Sequence, residues 1–428
     1  MKSFLIILPV LACLSPAALC ADRFPRSWID LDTGHRVLQL SIEPGTESLY
    51  FTQFGYTAGG AKMIMTTEHG IDLVTLSTGE IDHVIAGTGI RPIQTGRKTG
   101  TIYYSQGGFI YAFDPTSKQS RLLAKLPPGA SVATVNADET LIAGAITEGG
   151  DQHPELRPHL PPPPPGGYKP GQIVAGLDDY PDKMPQMMRR LAAHLPMTLF
   201  TINIQTGERK DLLHSTDWLN HFQFSPTDPT LMTFCHEGPW WLIDRIWLFR
   251  VDGHSQPMLL HARTMEMEIA NHEFWSADGQ WIWYDLETPM NEDFWVGGFN
   301  VYSGKRIWYH LSLDQWSIHY NQSPNGDLFS GDGGATDDLG PHPQHSKWIY
   351  LFHPEILPDM RTQPAPTGLI QVGTFRTEKL VNLEKHSYSL EPNGQFTPDG
   401  KWLVFRSNMR GPIQVYAVEV AKANPTGP

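Results

Sequence analysis

Five histidines in the second half of the chain share a local setting. His221 follows Asp217-Trp218-Leu219-Asn220, His236 lies in FCHEGPW (234–240) and His272 in NHEFW (271–275). His319 lies in IHYNQSPNG (318–326) and His386 in KHSYSLEPNGQFTPDG (385–400). Each stands near the start of an apolar run or its turn. A single histidine beside a strand is ordinarily structural, with its ring nitrogens satisfied nearby. Five in repeated placement can meet at one point if the repeats surround an axis. Neutral imidazoles with the carboxylate of Glu391 and the amide of Asn393 would form a mixed nitrogen and oxygen donor set. That set suits Mn²⁺ or a similar divalent ion better than a soft metal. Histidine is also the side chain best placed to take a proton near neutral pH. Cys235 reads better as a small buried apolar residue than as a thiol ligand.

The elements that must position these residues are short strands in a repeat. A turn followed by an apolar run recurs in SADGQWIWYD (276–285), SPNGDLFSGD (323–332) and TPDGKWLVFR (397–406). Variants are SPTDPTLMTF (225–234) and NADETLIAGA (136–145). Asp-Gly and Asn-Gly supply the positive φ angles of tight hairpins. The complementary half is a strand followed by a polar turn, as in DLVTLSTGEI (72–81), LFTINIQTGE (199–208) and GFNVYSGKRI (298–307). Equivalent pieces recur at roughly 40–60 residues, which fits four-stranded propeller blades with loop insertions. Counting gives six or seven blades. HRVLQLS (35–41) is positioned to close the ring against VYAVEV (415–420). Helical periodicity is scarce; the spacing predicts one helix over 185–194, inside an insertion spanning about 149–195. That insertion carries the proline run 161–165, which favours an extended segment. It reads either as an exposed loop or as a rim bordering a substrate channel, with Arg189 and Arg190 as carboxylate contacts.

Composition agrees with an all-β fold. Gly 39 and Pro 36 serve many turns, and 40% hydrophobic residues supply a core. The formal net charge of −13, with no basic run, argues against nucleic acid as a partner. An anionic substrate stays open, because a local cation can oppose the global field. Residues 1–21 form a separate module. Lys2, an apolar run over 4–14 and small residues at 17–21 read as a secretory leader. The run is too short for a membrane span, and no other segment reads as transmembrane. Leu19 before Cys20 disfavours a lipoprotein. Removal of the leader would leave Cys235 as the single cysteine, so no intrachain disulfide would form. Export to the periplasm or the exterior is expected. The oligomeric state stays open, a homo-oligomer included.

Four stretches, DWLNHFQFSPTDPTLMTFCHEGPWWLIDRIW, NHEFWSADG, HYNQSPNGDLFSGDGG and HSYSLEPNGQFTPDGKWLVFRSN, resemble in order the signatures of the oligogalacturonate lyase family. The likeness runs from about Trp28 to Val420, and CHEGP and HEFW are its most specific parts. The resemblance implies a seven-bladed β-propeller acting on acidic pectin fragments. Such enzymes remove the C5 proton of a galacturonate ring and expel the C4 oxygen. A proton beside an ionised carboxylate is a poor acid, so a cation on that carboxylate is needed. Carried over by position, His272 resembles the general base and Arg245, in IDRIW, the catalytic arginine. His319 resembles a metal-binding histidine, and His221 and His236 resemble positions near substrate. Glu237 and Asp332 are expected to brace the site, and Glu273 to be paired structurally.

The sequence departs from the family at its remaining ligands, a Gln and two His spaced one residue apart before the FTPD turn. Glu391 and Asn393 occupy the two His positions, and His386 or Tyr388 stands in for the Gln. The resemblance thus implies a metal set of His319, His386, Glu391 and Asn393. That set is harder and more negative, for Mn²⁺ with Mg²⁺ or Ca²⁺ as alternatives. Three functions follow: a lyase on oligogalacturonides, a lyase on another uronate oligosaccharide, or a noncatalytic TolB-like propeller that binds sugar or protein. Convergence of Arg245, His272 and His319 in one place separates the first two from the third. A peptidase is disfavoured, since no G-x-S-x-G elbow is present.

Overall fold

Short apolar runs punctuated by Gly, Asp and Asn build strands in nearly every described part of the chain. The computed structural model describes residues 26–149, 180–253, 255–334, 347–361 and 368–423. The expected leader and the proline run lie outside the described residues. The strands form an all-β, propeller-like fold of six hydrogen-bonded sheets. One sheet has three strands, between Lys62 and Ala86. Three have four strands each: Arg91 to Lys125, Ala130 to Ser215, and Trp218 to Leu259. The eight-stranded sheet, Ile269 to Asn382, consists of two four-stranded antiparallel meanders. They join where Arg306–Leu311 pairs in parallel with Gln371–Asn382.

The last sheet is shared by the two ends of the chain. His35–Gln39 pairs with Gln414–Lys422, placing Val37 opposite Val418 and Leu38 opposite Ala417. This is the ring closure read from HRVLQLS and VYAVEV. It leaves no long open edge between the first and last units.

Turn chemistry repeats as the sequence implies. Asp278 accepts from the Gln280 amide at 3.0 Å and from Ser276 Oγ at 2.6 Å. Asp399 does the same for Lys401 and Thr397, at 3.1 and 2.7 Å. Gly279 has φ +68°, and a Cβ there would come within 2.1 Å of Thr227 Oγ1. No other residue fits that turn.

The core lies between sheets, not in one central mass. Ala143 and Leu199 of one sheet pack on Phe222 and Phe234 of the next. Ile246 and Leu248 pack likewise on Ile282 and Tyr284. Each such side chain contributes about 1.5–3 kcal/mol by burial. One α-helix, Tyr180–Ala193, is described, and it begins before the expected 185, so Pro185 lies inside it. Propensity places proline in a first turn. Pro185 lies past that turn here, and two residues on Met187 is fully buried in a cluster with Trp240 and Ile269. No helix among the described residues is long and apolar enough to cross a membrane.

The ring closure is testable at His35. Its Nδ1 meets the Glu419 carbonyl at 2.9 Å, and its Nε2 meets Glu378 Oε1 at 3.2 Å on the neighbouring sheet. The ring is fully buried. His35→Ala should destabilise the fold by about 2–3 kcal/mol, since it strips two buried partners. Urea denaturation measures this, and a loss below about 0.5 kcal/mol would show that the closure does not depend on it.

Candidate active site

Two of the sequence-nominated histidines occupy equivalent irregularities. Pairing of Trp218–Phe224 with its neighbour shifts between Asn220 and Gln223. Pairing of Ile269–Trp275 shifts between Asn271 and Phe274. Inside these bulges His221 has φ +49° and His272 has φ +46°. Left-handed backbone is strained for a residue with a Cβ, and bulges re-aim side chains where function needs it. Both bulges follow an Asn-His pair on the first strand of a sheet.

His272 and His319 meet edge to face, with ring centroids 4.8 Å apart. Each is held by a carboxylate on its Nδ1 side. Asp332 takes His319 Nδ1 at 2.8 Å and the His319 amide at 2.8 Å. Asp285 lies 3.3 Å from His272 Nδ1, a charge contact not aligned as a hydrogen bond. His319 Nε2 faces Glu391 at 3.7 Å. Phe51 lies 4.5 Å from the His319 ring and 6.3 Å from the His272 ring.

A second cluster adjoins the first. Arg245 donates from Nη1 to Glu237 Oε1 at 2.7 Å. His221 Nε2 contacts Glu237 Oε2 at 3.1 Å. Glu273, next to His272, lies within electrostatic reach of His221, Arg245 and Glu237. Tyr50 links the two clusters, 6.1 Å from the His221 ring and 5.4 Å from the His319 ring. The structure therefore brings Arg245, His272 and His319 together at one end of the ring of sheets, with His221 beside them.

Electrostatics differ sharply across this small volume. Burial pushes the His272 pKa down, and Asp285 only partly offsets it. Burial alone would also lower His319, but Asp332, with Glu391 and Asp285, outweighs it and the net shift is upward. Burial raises Glu273. Several buried polar atoms have no hydrogen-bond partner among the described residues: Arg245 Nε, Asn271 Oδ1, Glu273 Oε1, Asp285 Oδ1 and His319 Nε2. Orphaned buried groups are costly in a folded core, at about 1–3 kcal/mol each. Their concentration here marks a place built to receive something.

Other nominated residues sit elsewhere. His386 is buried with both nitrogens engaged, Nδ1 with Ser407 Oγ at 2.9 Å and Nε2 with the Leu390 carbonyl at 2.8 Å. It has no nitrogen left for a metal, which corrects its reading as a ligand. Tyr388 donates to the Asp332 carbonyl at 3.2 Å. Asn393, at φ +54°, accepts from the Phe51 amide at 3.3 Å and donates to the Glu391 carbonyl at 3.2 Å. Its amide braces the loop. His236 alternates with Glu237 along its strand and so faces the opposite side of the sheet. There it packs 4.7 Å from the Trp247 ring, away from the cluster. Arg190 stacks on Trp218 at 4.1 Å and feels the charge of Glu237. It thus borders the second cluster, and Arg189 shares its helix. Cys235 is buried, as expected.

Sequence reasoning missed Asp285, Tyr50 and Phe51. Asp285 left one signal, a carboxylate in the apolar run WIWYDLE; the two aromatics left none.

The donors bear a limited fit to a divalent cation. His319 presents a buried Nε2 without a hydrogen-bond partner, oriented through Asp332, and Glu391 adds a carboxylate. A carboxylate behind a ligating imidazole is the usual supporting arrangement. Among the described residues no three His, Cys, Asp or Glu side chains converge as a complete metal cage.

A profile of the oligogalacturonate lyase family matches residues 191–339. The oligogalacturonide lyase of Pectobacterium atrosepticum is 27% identical over 239 residues, 52% of this chain and 55% of that one. The oligogalacturonate lyase of Dickeya dadantii is 28% identical over 229 residues, with the same shares. The chain thus spans about half the length of the curated relatives it matches. A solved oligogalacturonate lyase in complex with manganese superposes with TM-score 0.71 at 19% identity, over 92% of this chain and 96% of that one. The solved oligogalacturonate lyase of Vibrio parahaemolyticus gives 0.70 at 19% identity over the same shares.

His386 also yields a pH prediction. Burial holds its pKa at about 4, against an ordinary 6.5. A buried neutral histidine supports folding above the unfolded value, and that support is lost as pH falls from about 6.5 towards 4. The difference corresponds to about 3 kcal/mol. His386→Asn should flatten the acid limb of the stability profile measured by urea denaturation at several pH values. Parallel profiles for variant and parent would contradict this.

In sequence over residues 191–339, and in fold over 92% of its length, the chain is similar to the oligogalacturonate lyases.

Proposed function

We propose that this protein is a lyase that cleaves oligogalacturonides by β-elimination. The observation that supports it most is the gathering of His272, His319 and Arg245 around shared, unpartnered polar atoms. In this reading the two meanders of the eight-stranded sheet count as separate blades, which makes seven. The leader at 1–21 supports export.

The chemistry follows from the protonation states. His272 has its Nδ1 turned to Asp285, which leaves Nε2 as the base atom. Its depressed pKa keeps the ring neutral at neutral pH. Nε2 takes the C5 proton, the C4–C5 double bond forms, and the C4–O bond breaks. The departing oxygen takes a proton from solvent water and leaves as a hydroxyl, and Asp285 steadies the imidazolium until it returns its own proton to solvent. A divalent cation such as Mn²⁺ held by His319 and Glu391 would neutralise the substrate carboxylate and acidify C5. Arg245 adds fixed positive charge from a buried position beside Glu237. His221 and Arg190 stand where a second sugar unit would be contacted.

The test is incubation with di- and trigalacturonate, following ultraviolet absorbance of unsaturated uronate. His272→Ala should lose at least about 100-fold in turnover while keeping the parent melting temperature. Unchanged turnover would remove His272 from the base role. No product from any uronate oligomer would sink the enzymatic reading. Glu391→Ala should weaken Mn²⁺ binding, read directly from the resonance signal of free Mn²⁺. Unaltered Mn²⁺ affinity would exclude Glu391 as a ligand.

A further inference from the structure

On the far side of Phe51 from the histidines runs a channel of ≈ 920 Å³. Its lining includes Phe51, Phe222, Phe274 and Phe396, but none of the histidines, Arg245 or Glu391. Phe51 therefore separates two compartments on the axis. Nothing derived so far uses the second one.

Its electrostatics are unusual for a chain of net charge −13. Among the described residues, the charged ones that line it are Arg97, Asp399 and Lys401. Lys401 lies 3.6 Å from Asp399, so those two cancel. Arg97 is stacked on the Phe54 ring at 4.1 Å. Among the described residues no carboxylate pairs with it. Arg97 is exposed, so its guanidinium meets solvent as well as the channel. It stays charged at neutral pH. The channel thus carries one uncompensated positive charge, fixed in place by an aromatic face.

Such a site selects a chemistry. A planar guanidinium takes a carboxylate with two parallel hydrogen bonds. The volume matches pockets that enclose small ligands, typically about 300–1,000 Å³. Trp275 and Trp402 also line the channel, and such rings suit the apolar faces of a sugar. Phosphate recognition ordinarily gathers several cations or backbone amides, and only one unpaired cation is present here.

We propose that this channel is a second ligand site, for a small carboxylate of mono- or disaccharide size such as a uronic acid, with Arg97 receiving the carboxylate. Recognition of the carboxylate stands on the channel alone. Only the choice of a uronic acid as ligand rests on the lyase reading.

Galacturonate is the probe, because it has no glycosidic bond and is not turned over. Calorimetric titration should detect binding to the parent protein and to His272→Ala. Arg97→Met keeps a stem on Phe54 and removes the charge; it should weaken binding at least tenfold, and Arg97→Lys less. Galactose, which lacks the carboxylate, should not bind. Galacturonate affinity unchanged in Arg97→Met would overturn the proposal. So would absence of galacturonate binding, or equal binding of galactose. Failure of the lyase reading shows separately, as full turnover in His272→Ala or no product at all, and leaves the Arg97 comparison intact.

Discussion

Two imidazoles with centroids 4.8 Å apart cannot both be protonated without strong mutual repulsion. At that separation and an effective dielectric near 20, two unit charges repel by about 3 kcal/mol. The surroundings settle the contest. His319 has Asp332 on one side and Glu391 on the other, and these carboxylates favour positive charge on its ring. His272 keeps only the looser contact to Asp285 and is driven neutral by burial. In the proposed lyase the first ring would seat a cation and its neighbour would serve as the base. Environments that push two titratable groups apart are how a fold assigns acid and base roles.

That arrangement sits on strained backbone. Left-handed φ at His221, His272 and Asn393 costs on the order of 1–3 kcal/mol at each position. The unpartnered polar atoms add to this. None of it would persist on a loose scaffold. The sheets are held rigid by apolar layers between them and by the pairing of the chain's two ends. A closed ring fixes each first strand relative to the axis, so bulges on two different sheets can aim at one volume. Phe51 fills the axis itself, packed on both His272 and His319. It divides a polar, carboxylate-rich compartment from an apolar-floored one.

Much of this was legible in the residues. The turn-and-strand repeat gave the all-β propeller-like fold, and HRVLQLS paired where its pattern required. His221 and His272 were nominated from their local settings, and both proved to lie in bulges. Glu237 and Asp332 were readable as braces because each stands beside a nominated histidine or in the following turn. Other features could not be read locally. Whether a strand residue faces the axis or the outer layer depends on register, and parity puts Glu237 inward and His236 against Trp247. His386 looked like a ligand because sequence does not show that Ser407 and Leu390 occupy its nitrogens. Tyr50 and Phe51 reach the site from the opposite end of the chain, through ring closure. The helix start was misplaced because Pro185 reads as a first-turn residue, whereas the helix runs from Tyr180.

The exchange of two imidazoles for Glu391 and Asn393 changes more than the donor list. An imidazole ligand offers a neutral nitrogen, whereas Glu391 brings a negative charge to the edge of the site. Asn393 turns its amide to the Phe51 backbone and the Glu391 carbonyl, so it stiffens the loop that presents Glu391. Asp332 joins the same network, accepting from the Asn393 amide at 3.0 Å as well as from His319. A single carboxylate therefore aligns the imidazole and anchors the loop that carries its opposing Glu391. Fewer protein donors with more negative charge favour a hard cation that completes its shell with oxygens from solvent and substrate. For the anionic sugar proposed as substrate, such a cation would also offset the repulsion of a chain of net charge −13.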